Sequence, residues 1–178
     1  MMIGVLALQG AFIEHEKTLR SLGAEVREIR QPRDLAGLQG IVLPGGESTA
    51  QGKLLRETGL AEPLRKMILD GLPVLATCAG LILLAEKEHL GVLPVTVRRN
   101  AYGRQLGSFN AKKEFKGIGP YPMVFIRAPY VSDPGQTEVL AKVGGRVVAV
   151  RHKKIIALSF HPELTGDNRI HRMFLDTV

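Results

Sequence analysis

The sequence predicts an α/β fold with a doubly wound, mostly parallel sheet flanked by helices. In the first half, short continuous apolar runs alternate with helical patterns, as is typical of strands buried on both faces of a parallel sheet. In the second half, short β-rich stretches separated by turn residues indicate antiparallel additions to the sheet. The length of 178 residues fits a single domain, residues 1–178.

Glycine and proline mark the ends of the elements predicted in the first half. Gln9-Gly10 ends the first strand, Gly23 follows the first helix, and Pro44-Gly45-Gly46 ends the third strand. Strands are predicted at residues 3–8, 25–29, 41–43 and 73–77. Helices are predicted at residues 12–22, 48–56, 61–70 and 81–88.

The second half is predicted to add strands and one closing helix. Gly144-Gly145 lies between two β-rich stretches and indicates a hairpin. Ile170, Phe174 and Leu175 fall on one side of the last segment, which predicts a helix over 167–176 that packs on the sheet. Strands are predicted at residues 92–97, 124–126, 139–143, 147–150 and 155–160.

Composition excludes several classes of protein. With 45% hydrophobic and 23% charged residues, the chain is neither disordered nor fibrous, and no apolar run approaches the roughly 18 residues that cross a bilayer. Met1-Met2 leads straight into an apolar run, so we expect no secretory signal, no membrane and a cytoplasmic location. The net charge is +7. All of this excess lies beyond residue 89 without interleaved aromatics, which favours a solvated face or an acidic protein partner over nucleic acid.

Cys78 is the strongest local signal for chemistry. It follows a predicted strand, precedes a predicted helix, and is flanked by the small residues Ala76, Ala79 and Gly80. This pattern is typical of a nucleophile elbow, in which small neighbours allow a tight turn and the helix N-terminus favours a thiolate. As the only cysteine, Cys78 cannot form an intramolecular disulfide. The alternative is a buried structural cysteine.

His161 is the candidate base for this nucleophile. It directly follows the last predicted strand, at the end where doubly wound folds place their active sites. In an extended segment Glu163 would project to the same side as His161 and orient its ring, while the alternative is a surface turn. The remaining histidines stand beside charged residues and are interpreted as surface residues: His15, His89, His152 and His171.

The Pro44-Gly45-Gly46 loop is a candidate oxyanion hole. Its glycines leave backbone N–H groups free to face an anion, and Ser48 or Thr49 begins a helix that points to the same place. A phosphate-binding loop is the alternative, but the lysine of a P-loop is absent. We therefore predict an oxyanion hole for acyl transfer, formed by the N–H groups of Gly46 and Ala79.

These features together resemble the class I glutamine amidotransferases of the triad type. Six segments narrow the resemblance, over essentially the whole chain, to the glutaminase subunits of pyridoxal 5'-phosphate synthase. They are GVLALQG at 4–10, PGGEST at 44–49, TCAG at 77–80, RNAYGRQ at 99–105, FIRAP at 125–129 and FHPELT at 160–165.

The resemblance implies a flavodoxin-like fold and a mechanism. Cys78 would attack the side-chain amide of L-glutamine, His161 would protonate the departing ammonia, and Glu163 would hold His161. The resemblance implies no cofactor and no metal. The residues it assigns to glutamine binding are Gly46, Glu47, Ser48, Arg99, Ile126 and Arg127.

The resemblance also implies a protein partner. Ammonia would pass to a synthase subunit that makes pyridoxal 5'-phosphate from a pentose phosphate and a triose phosphate, with glutaminase subunits docked around a dodecameric core. Three alternatives stay open from the residues alone: another triad amidotransferase or thiol hydrolase, a basic nucleic-acid-binding module, and a catalytically silent interaction subunit.

Overall fold

The computed structural model describes residues 1–99 and 108–178, and within them eleven strands and five helices form. The strands are β1 (Met2–Leu6), β2 (Glu25–Ile29), β3 (Gly40–Leu43), β4 (Val74–Thr77), β5 (Thr96–Arg98), β6 (Ser108–Phe115), β7 (Gly119–Ile126), β8 (Tyr130–Asp133), β9 (Glu138–Val143), β10 (Arg146–His152) and β11 (Ile155–Leu158). The helices are α1 (Phe12–Ser21), α2 (Ser48–Glu57), α3 (Ala61–Leu69), α4 (Ala79–Ala85) and α5 (Arg169–Leu175).

Five parallel strands form the centre of the main sheet, in the order β2-β1-β3-β4-β11. Within this set, Ala76 of β4 pairs with Leu43 of β3 on one side and with Ala157 of β11 on the other. Strands β10, β9, β8 and β5 extend the sheet by antiparallel pairing, while β6 and β7 form a separate hairpin. The predicted fold class is confirmed.

Alternate residues of the parallel strands pack into two cores, one on each face of the sheet. Along β3, Ile41 and Leu43 lie in the core covered by α2, α3 and α4, whereas Val42 lies in the opposite core. That opposite core contains Leu19 of α1 and Phe174 of α5. The helices on both faces bury β3, β4 and β11 completely, which explains why these strands read as continuous apolar runs.

The β6–β7 hairpin covers the same face as α1 and α5. Phe115, Tyr121 and Phe125 are fully buried there, against Phe160 at the end of β11. The hairpin thereby packs against the residue that directly precedes His161.

The sequence prediction was wrong in parts of the second half. Strand β6 was not predicted because three consecutive exposed charged residues, Lys112, Lys113 and Glu114, interrupt its alternating pattern. The first half of β7 was not predicted because it contains Pro120 and Pro122. Proline usually excludes a segment from a sheet unless that segment is an edge strand. β8 was also missed, and only Thr96 and Val97 of the strand predicted at 92–97 are in β5.

The predicted Gly144-Gly145 hairpin is confirmed. Val143 pairs with Arg146, and both glycines have positive φ, 56° and 76°, as a two-residue hairpin turn of this type requires. In the described part of the chain, no helix has the length and apolar character to cross a bilayer.

Candidate active site

Three neighbouring parallel strands, β3, β4 and β11, end at the same edge of the sheet, and the loops that follow them form the candidate site. These loops carry Gly46, Cys78 and His161, in that order. Every predicted site residue except Glu163 lines one cavity of about 610 Å³, and Glu163 lies beneath His161. The topology thus brings together residues that are more than 80 positions apart in the chain.

Cys78 occupies a strained turn between β4 and α4. Its φ of 50° lies in a region that residues with a Cβ rarely adopt, at a cost on the order of 1–3 kcal/mol. The backbone N–H of Cys78 donates to Leu158 of β11 at 2.8 Å, and α4 begins at the next residue. The turn therefore has the form of the predicted elbow, with the helix starting two residues earlier than expected.

Gly80 explains why the elbow needs small neighbours. A Cβ at this position would lie 2.2 Å from the carbonyl oxygen of Leu43, so α4 approaches β3 too closely for any side chain. The close approach places the first turn of α4 at the cavity. In this first turn the N–H of Ala79 has no intrahelical acceptor and is free for an anion.

His161 and Glu163 form a close pair. Nδ1 of His161 lies 2.6 Å from Oε1 of Glu163, and both side chains are nearly or fully buried. The predicted partnership is present, but the predicted extended conformation is wrong, because a 3₁₀ turn over Pro162–Leu164 brings the two side chains together. The backbone N–H of His161 donates to the carbonyl of Val124 in β7 at 2.9 Å. This bond fixes the main-chain position from which the imidazole ring extends.

The surroundings of His161 favour its charged form. Burial disfavours the imidazolium, but hydrogen bonds with Cys78 and Glu163 outweigh burial and raise the pKa of His161 to about 10. Since Nδ1 faces Glu163, the nitrogen that serves Cys78 is Nε2. The arrangement can hold a thiolate beside an imidazolium.

The loop after β3 lies directly against Cys78 and His161. A Cβ on Gly45 would be 2.3 Å from Cε1 of His161 and 3.3 Å from Cβ of Cys78, so only glycine fits. The carbonyl of Gly45 accepts a hydrogen bond from the N–H of Ala11 at 3.0 Å. Among the described residues, the N–H of Gly46 has no acceptor, as an oxyanion donor requires.

Two glutamines that sequence reasoning missed brace this loop. Oε1 of Gln9 accepts from the N–H of Glu47 at 2.8 Å, while Nε2 of Gln51 donates to the carbonyls of Gln9 and Pro44 at 2.9 and 3.2 Å. Gln51 is fully buried. Gln9 could have been found, because it is a polar residue just beyond β1, at the same edge of the sheet.

Glu47 caps α2. Its carboxylate accepts from the N–H groups of Thr49 and Ala50 at 3.0 and 2.7 Å, and these bonds lower the pKa of Glu47. Ser48, the first residue of α2, is buried beside it and also lines the cavity. Both residues, which the resemblance assigns to glutamine binding, thus line the cavity.

Arg99 lies at the rim of the cavity with its guanidinium already paired. Nε donates to Oε1 of Glu86 at 2.8 Å, Nη2 donates to Oε2 of the same carboxylate, and Nη1 donates to Oγ1 of Thr49 at 3.2 Å. The hydrogen bonds with Arg99 lower the pKa of Glu86. Sequence reasoning missed Glu86 as the group that holds Arg99.

The opposite wall is formed by the end of β7. Ile126 is 41% exposed, and its carbonyl lies 3.9 Å from Sγ of Cys78. Arg127 follows with φ of 46° and an exposed side chain that lines the cavity. Of the predicted RNAYGRQ segment, Arg99 is described, whereas residues 100–105 lie outside the described residues.

The interpretation of His15 and His171 as surface residues is wrong. Both are 0% exposed, because α1 and α5 turn them into the protein although their sequence neighbours are charged. His15 lies behind Glu163, with Nε2 3.4 Å from Oε2. In residues 1–99 and 108–178, no group of three or more histidine, cysteine or carboxylate side chains is placed to hold a metal ion.

Comparison with known proteins decides the family of this site. The model of the SNO glutamine amidotransferase family matches residues 5–178. The chain belongs to this family. A solved structure described as a glutamine amidotransferase is 48% identical with a TM-score of 0.94, covering 98% of this chain and 97% of its own.

Curated relatives of the family carry a more specific name. A protein of Desulfitobacterium hafniense (strain DSM 10664 / DCB-2) named pyridoxal 5'-phosphate synthase subunit PdxT is 59% identical, covering 100% of this chain and 94% of the relative. A protein of Streptococcus pneumoniae (strain ATCC 700669 / Spain 23F-1) with the same name is 51% identical, with 99% and 97% covered. A solved glutamine amidotransferase of Thermotoga maritima shares the fold, with a TM-score of 0.69, 17% identity, and 99% of this chain and 83% of that chain covered.

Proposed function

We propose that this chain, as one domain of residues 1–178, hydrolyses L-glutamine to L-glutamate and ammonia and supplies the ammonia to a pyridoxal 5'-phosphate synthase subunit. The observation that carries the proposal is the His161–Glu163 pair, 2.6 Å apart, in one site with Cys78 at a strained elbow. Membership of the glutamine amidotransferase family and relatives named as synthase subunits support it.

The chemistry follows from these three side chains. The Cys78 thiolate attacks the side-chain amide carbon of glutamine, and Nε2–H of His161 gives its proton to the departing ammonia as the C–N bond breaks. His161 then removes a proton from water, which attacks the thioester and releases glutamate. Glu163 keeps Nδ1 of His161 protonated and the ring oriented through both steps.

The oxyanion that forms at the amide oxygen would be held by two backbone donors. Gly46 and Ala79 both line the cavity, and the N–H groups of the two residues have no protein acceptor among residues 1–99 and 108–178. Each donor of this kind is worth about 100-fold to 1,000-fold in rate. The Ala79 donor belongs to the first turn of α4, and a donor held in place in this way needs no reorganisation during the reaction.

Glutamine recognition is assigned to the cavity walls. Of the five N–H donors of Arg99, one on Nη1 has no acceptor among the described residues, and we assign it to the α-carboxylate because Arg99 lines the cavity. The remaining binding contacts are assigned to Gly46, Glu47, Ser48, Ile126 and Arg127. The main-chain oxygen of Ile126 and the carboxylate of Glu47 are assigned as acceptors for the α-ammonium.

The synthase subunit is the proposed macromolecular partner. We place the glutaminase subunits around a dodecameric synthase core, in the cytoplasm, where reducing conditions keep the Cys78 thiol free. No nucleic acid, membrane or cofactor takes part. A direct transfer of ammonia is chemically required, because ammonia released at neutral pH is mostly protonated and no longer nucleophilic.

Ammonia release from glutamine tests the proposal. The assay compares the chain alone, the chain with the synthase subunit, and Cys78→Ala with the synthase subunit. We expect glutaminase activity in the complex and none with Cys78→Ala. Activity only with a different synthase would favour another triad amidotransferase, and salt-sensitive retention of nucleic acid unaffected by blocking Cys78 would favour a basic binding module.

A further inference from the structure

Two buried histidines continue the row of hydrogen-bonding groups beyond Glu163. Nε2 of His15 lies 3.4 Å from Oε2 of Glu163, and Nδ1 of His15 lies 2.9 Å from Nε2 of His171. The side chains of His15 and Glu163 are both 0% exposed. The two oxygens of the Glu163 carboxylate therefore face different histidines, His161 at Oε1 and His15 at Oε2.

Neither His15 nor His171 lines the cavity, so neither can touch glutamine. His15 lies in α1 and His171 in α5, 156 positions apart in the chain. The two helices cover the same face of the sheet. Nε2 of His15 also lies 3.3 Å from Oγ1 of Thr77, the residue before Cys78. The pair thus lies directly behind both the carboxylate and the elbow.

Both imidazoles are neutral in this environment. Burial, followed by the charges of His171 and His161, lowers the pKa of His15 well below its ordinary value, and burial lowers the pKa of His171 to about 4. The ionisable groups around His15 are His171, His161 and Glu163. A neutral imidazole has one N–H and one bare nitrogen, so the contacts select between two tautomeric arrangements.

Only one arrangement agrees with the charges. If His15 carries its proton on Nε2, it donates toward Oε2 of Glu163, while Nε2–H of His171 donates to Nδ1 of His15. If His15 carries it on Nδ1, the Thr77 hydroxyl can donate to the bare Nε2, but the lone pair of that nitrogen then also faces Oε2 of Glu163, which has no hydrogen-bond partner among the described residues, and the N–H of His171 is left at its partnerless Nδ1. The charge of Glu163 therefore favours the first arrangement, in which Nε2–H points toward Oε2 of Glu163 and Oγ1 of Thr77.

We infer that His15 is a positioning residue of the glutaminase: its Nε2–H serves the second oxygen of Glu163, fixes the carboxylate, and limits how strongly that carboxylate holds the proton of His161. The inference rests on the proposed function, because it assigns His15 a place behind the Cys78, His161 and Glu163 triad. The separation of 3.4 Å is longer than that of an ordinary N–H···O hydrogen bond, so the interaction is an attraction between the N–H dipole and the carboxylate charge.

The physical consequence of losing this donor has a definite direction. Without an N–H at Oε2, the buried Glu163 carboxylate is least stable when His161 is neutral, because its charge is then uncompensated. The pKa of His161 would therefore rise. An imidazolium with a higher pKa is a poorer acid toward the departing ammonia. A loosened site would do the opposite, since a displaced carboxylate returns the His161 pKa toward its ordinary value.

Three variants separate these effects in the complex with the synthase subunit. His15→Leu fills the space without a donor, His15→Gln restores an N–H near Nε2, and Leu19→Ala is a control that perturbs α1 in the same core without contacting Glu163. For His15→Leu we expect kcat to fall about tenfold to a hundredfold at unchanged KM, by analogy with the outer hydrogen-bond partners of metal-ligating histidines. His15→Gln should recover most of kcat, and Leu19→Ala should retain it.

Titration of His161 by NMR is the decisive measurement and does not need turnover. We expect its pKa to rise in His15→Leu and to stay near the wild-type value in His15→Gln and Leu19→Ala. A pKa that is unchanged or lowered in His15→Leu overturns the inference. So does a wild-type His15 protonated on Nδ1, which ¹⁵N shifts report even where a variant fails to fold. Absent glutaminase activity in the wild-type complex would instead overturn the proposed function and leave the titration result standing.

Discussion

Nδ1 of His161 and Oε1 of Glu163 lie 2.6 Å apart although one proline alone separates the two residues. The 3₁₀ turn over Pro162–Leu164 folds Glu163 back beneath the ring it orients. Because the two groups belong to one short turn, the base and its partner are set locally. Only their position against Cys78 depends on the long-range pairing of β4 with β11.

Substitutions at this pair should differ in severity. Glu163→Gln keeps an oxygen or N–H at Nδ1 and only weakens the support of the imidazolium, whereas His161→Asn removes the group that carries the proton. We expect a larger loss of kcat for His161→Asn than for Glu163→Gln, measured as ammonia release in the complex. Equal losses would mean that Glu163 does more than orient the ring.

Strain at Cys78 predicts an unusual stability order. Cys78→Ala keeps a Cβ at φ of 50° and so keeps the strain, whereas Cys78→Gly removes it. We expect both variants to be inactive and the glycine variant to be about 1 kcal/mol more stable, after allowing for the extra freedom of glycine in the unfolded chain. Urea unfolding of the two variants measures the difference. An alanine variant as stable as the glycine variant would show that the strain does not exceed the entropic cost of glycine in the unfolded chain.

His171 predicts a loss of stability in acid. Its pKa is about 4 in the folded protein against 6.5 ordinarily, so the unfolded chain binds more protons between these values. The contribution of neutral His171 to the free energy of unfolding is therefore complete above pH 6.5 and is lost as the pH falls toward 4. This contribution amounts to about 3 kcal/mol. His171→Leu should lose less unfolding free energy than wild type when the pH is lowered from neutrality to just above the folded-state pKa. Phe174→Leu, a destabilised control on the same helix, should keep the wild-type pH dependence.

Arg99 is predicted to act in glutamine binding. Arg99→Ala removes the donor assigned to the α-carboxylate, which is held equally in the ground state and the transition state, so KM should rise with kcat little changed. Arg98→Ala, the exposed neighbour on β5 that does not line the cavity, is the matched control and should keep the wild-type KM. A loss confined to kcat at saturating glutamine would place Arg99 in the chemical step.

The parts of the site that could be predicted are those whose chemistry is local. Cys78 was predictable because strand, small residues and helix are contiguous, and His161 because a polar residue ends an apolar strand. Gln51 and Glu86 were not, since a glutamine or glutamate on an amphipathic helix reads as an ordinary polar residue. Their roles arise only when α2 and α4 pack against the loop after β3 and against Arg99.

His15 shows why burial is harder to predict than position. Its neighbours Glu14, Glu16 and Lys17 predict a solvated helix face, yet His15 is 0% exposed because α1 lies over the turn that carries Glu163. α1 packs here through this polar contact as well as through Leu19 in the apolar core. Hydrophobic periodicity cannot reveal such a contact, because the partner is a carboxylate from the far end of the chain.

The loop after β3 has the features of a switch that a partner can operate. The carbonyl of Gly45 is held by the N–H of Ala11 at 3.0 Å, and Gly10, with φ of 101°, leaves room for that oxygen because a Cβ there would lie 2.0 Å from it. Since the peptide is planar, the N–H of Gly46 points opposite to this carbonyl. Rotating the peptide would break one hydrogen bond, a net cost of about 1 kcal/mol, at little steric cost in a Gly-Gly sequence.

Such a low cost means that docking of the synthase subunit could set the direction of the Gly46 donor, and a misdirected donor lowers the rate by about 100-fold to 1,000-fold. We therefore predict weak glutaminase activity for the isolated chain and a large stimulation in the complex. Because the same donor assists attack by the thiolate, inactivation of Cys78 by a glutamine-like electrophile should accelerate in parallel. Ammonia release and inactivation rates, each measured with and without the synthase subunit, provide the test. If the isolated chain already matches the complex in both rates, the loop is not a switch, whereas the roles of Cys78, His161 and Glu163 would stand.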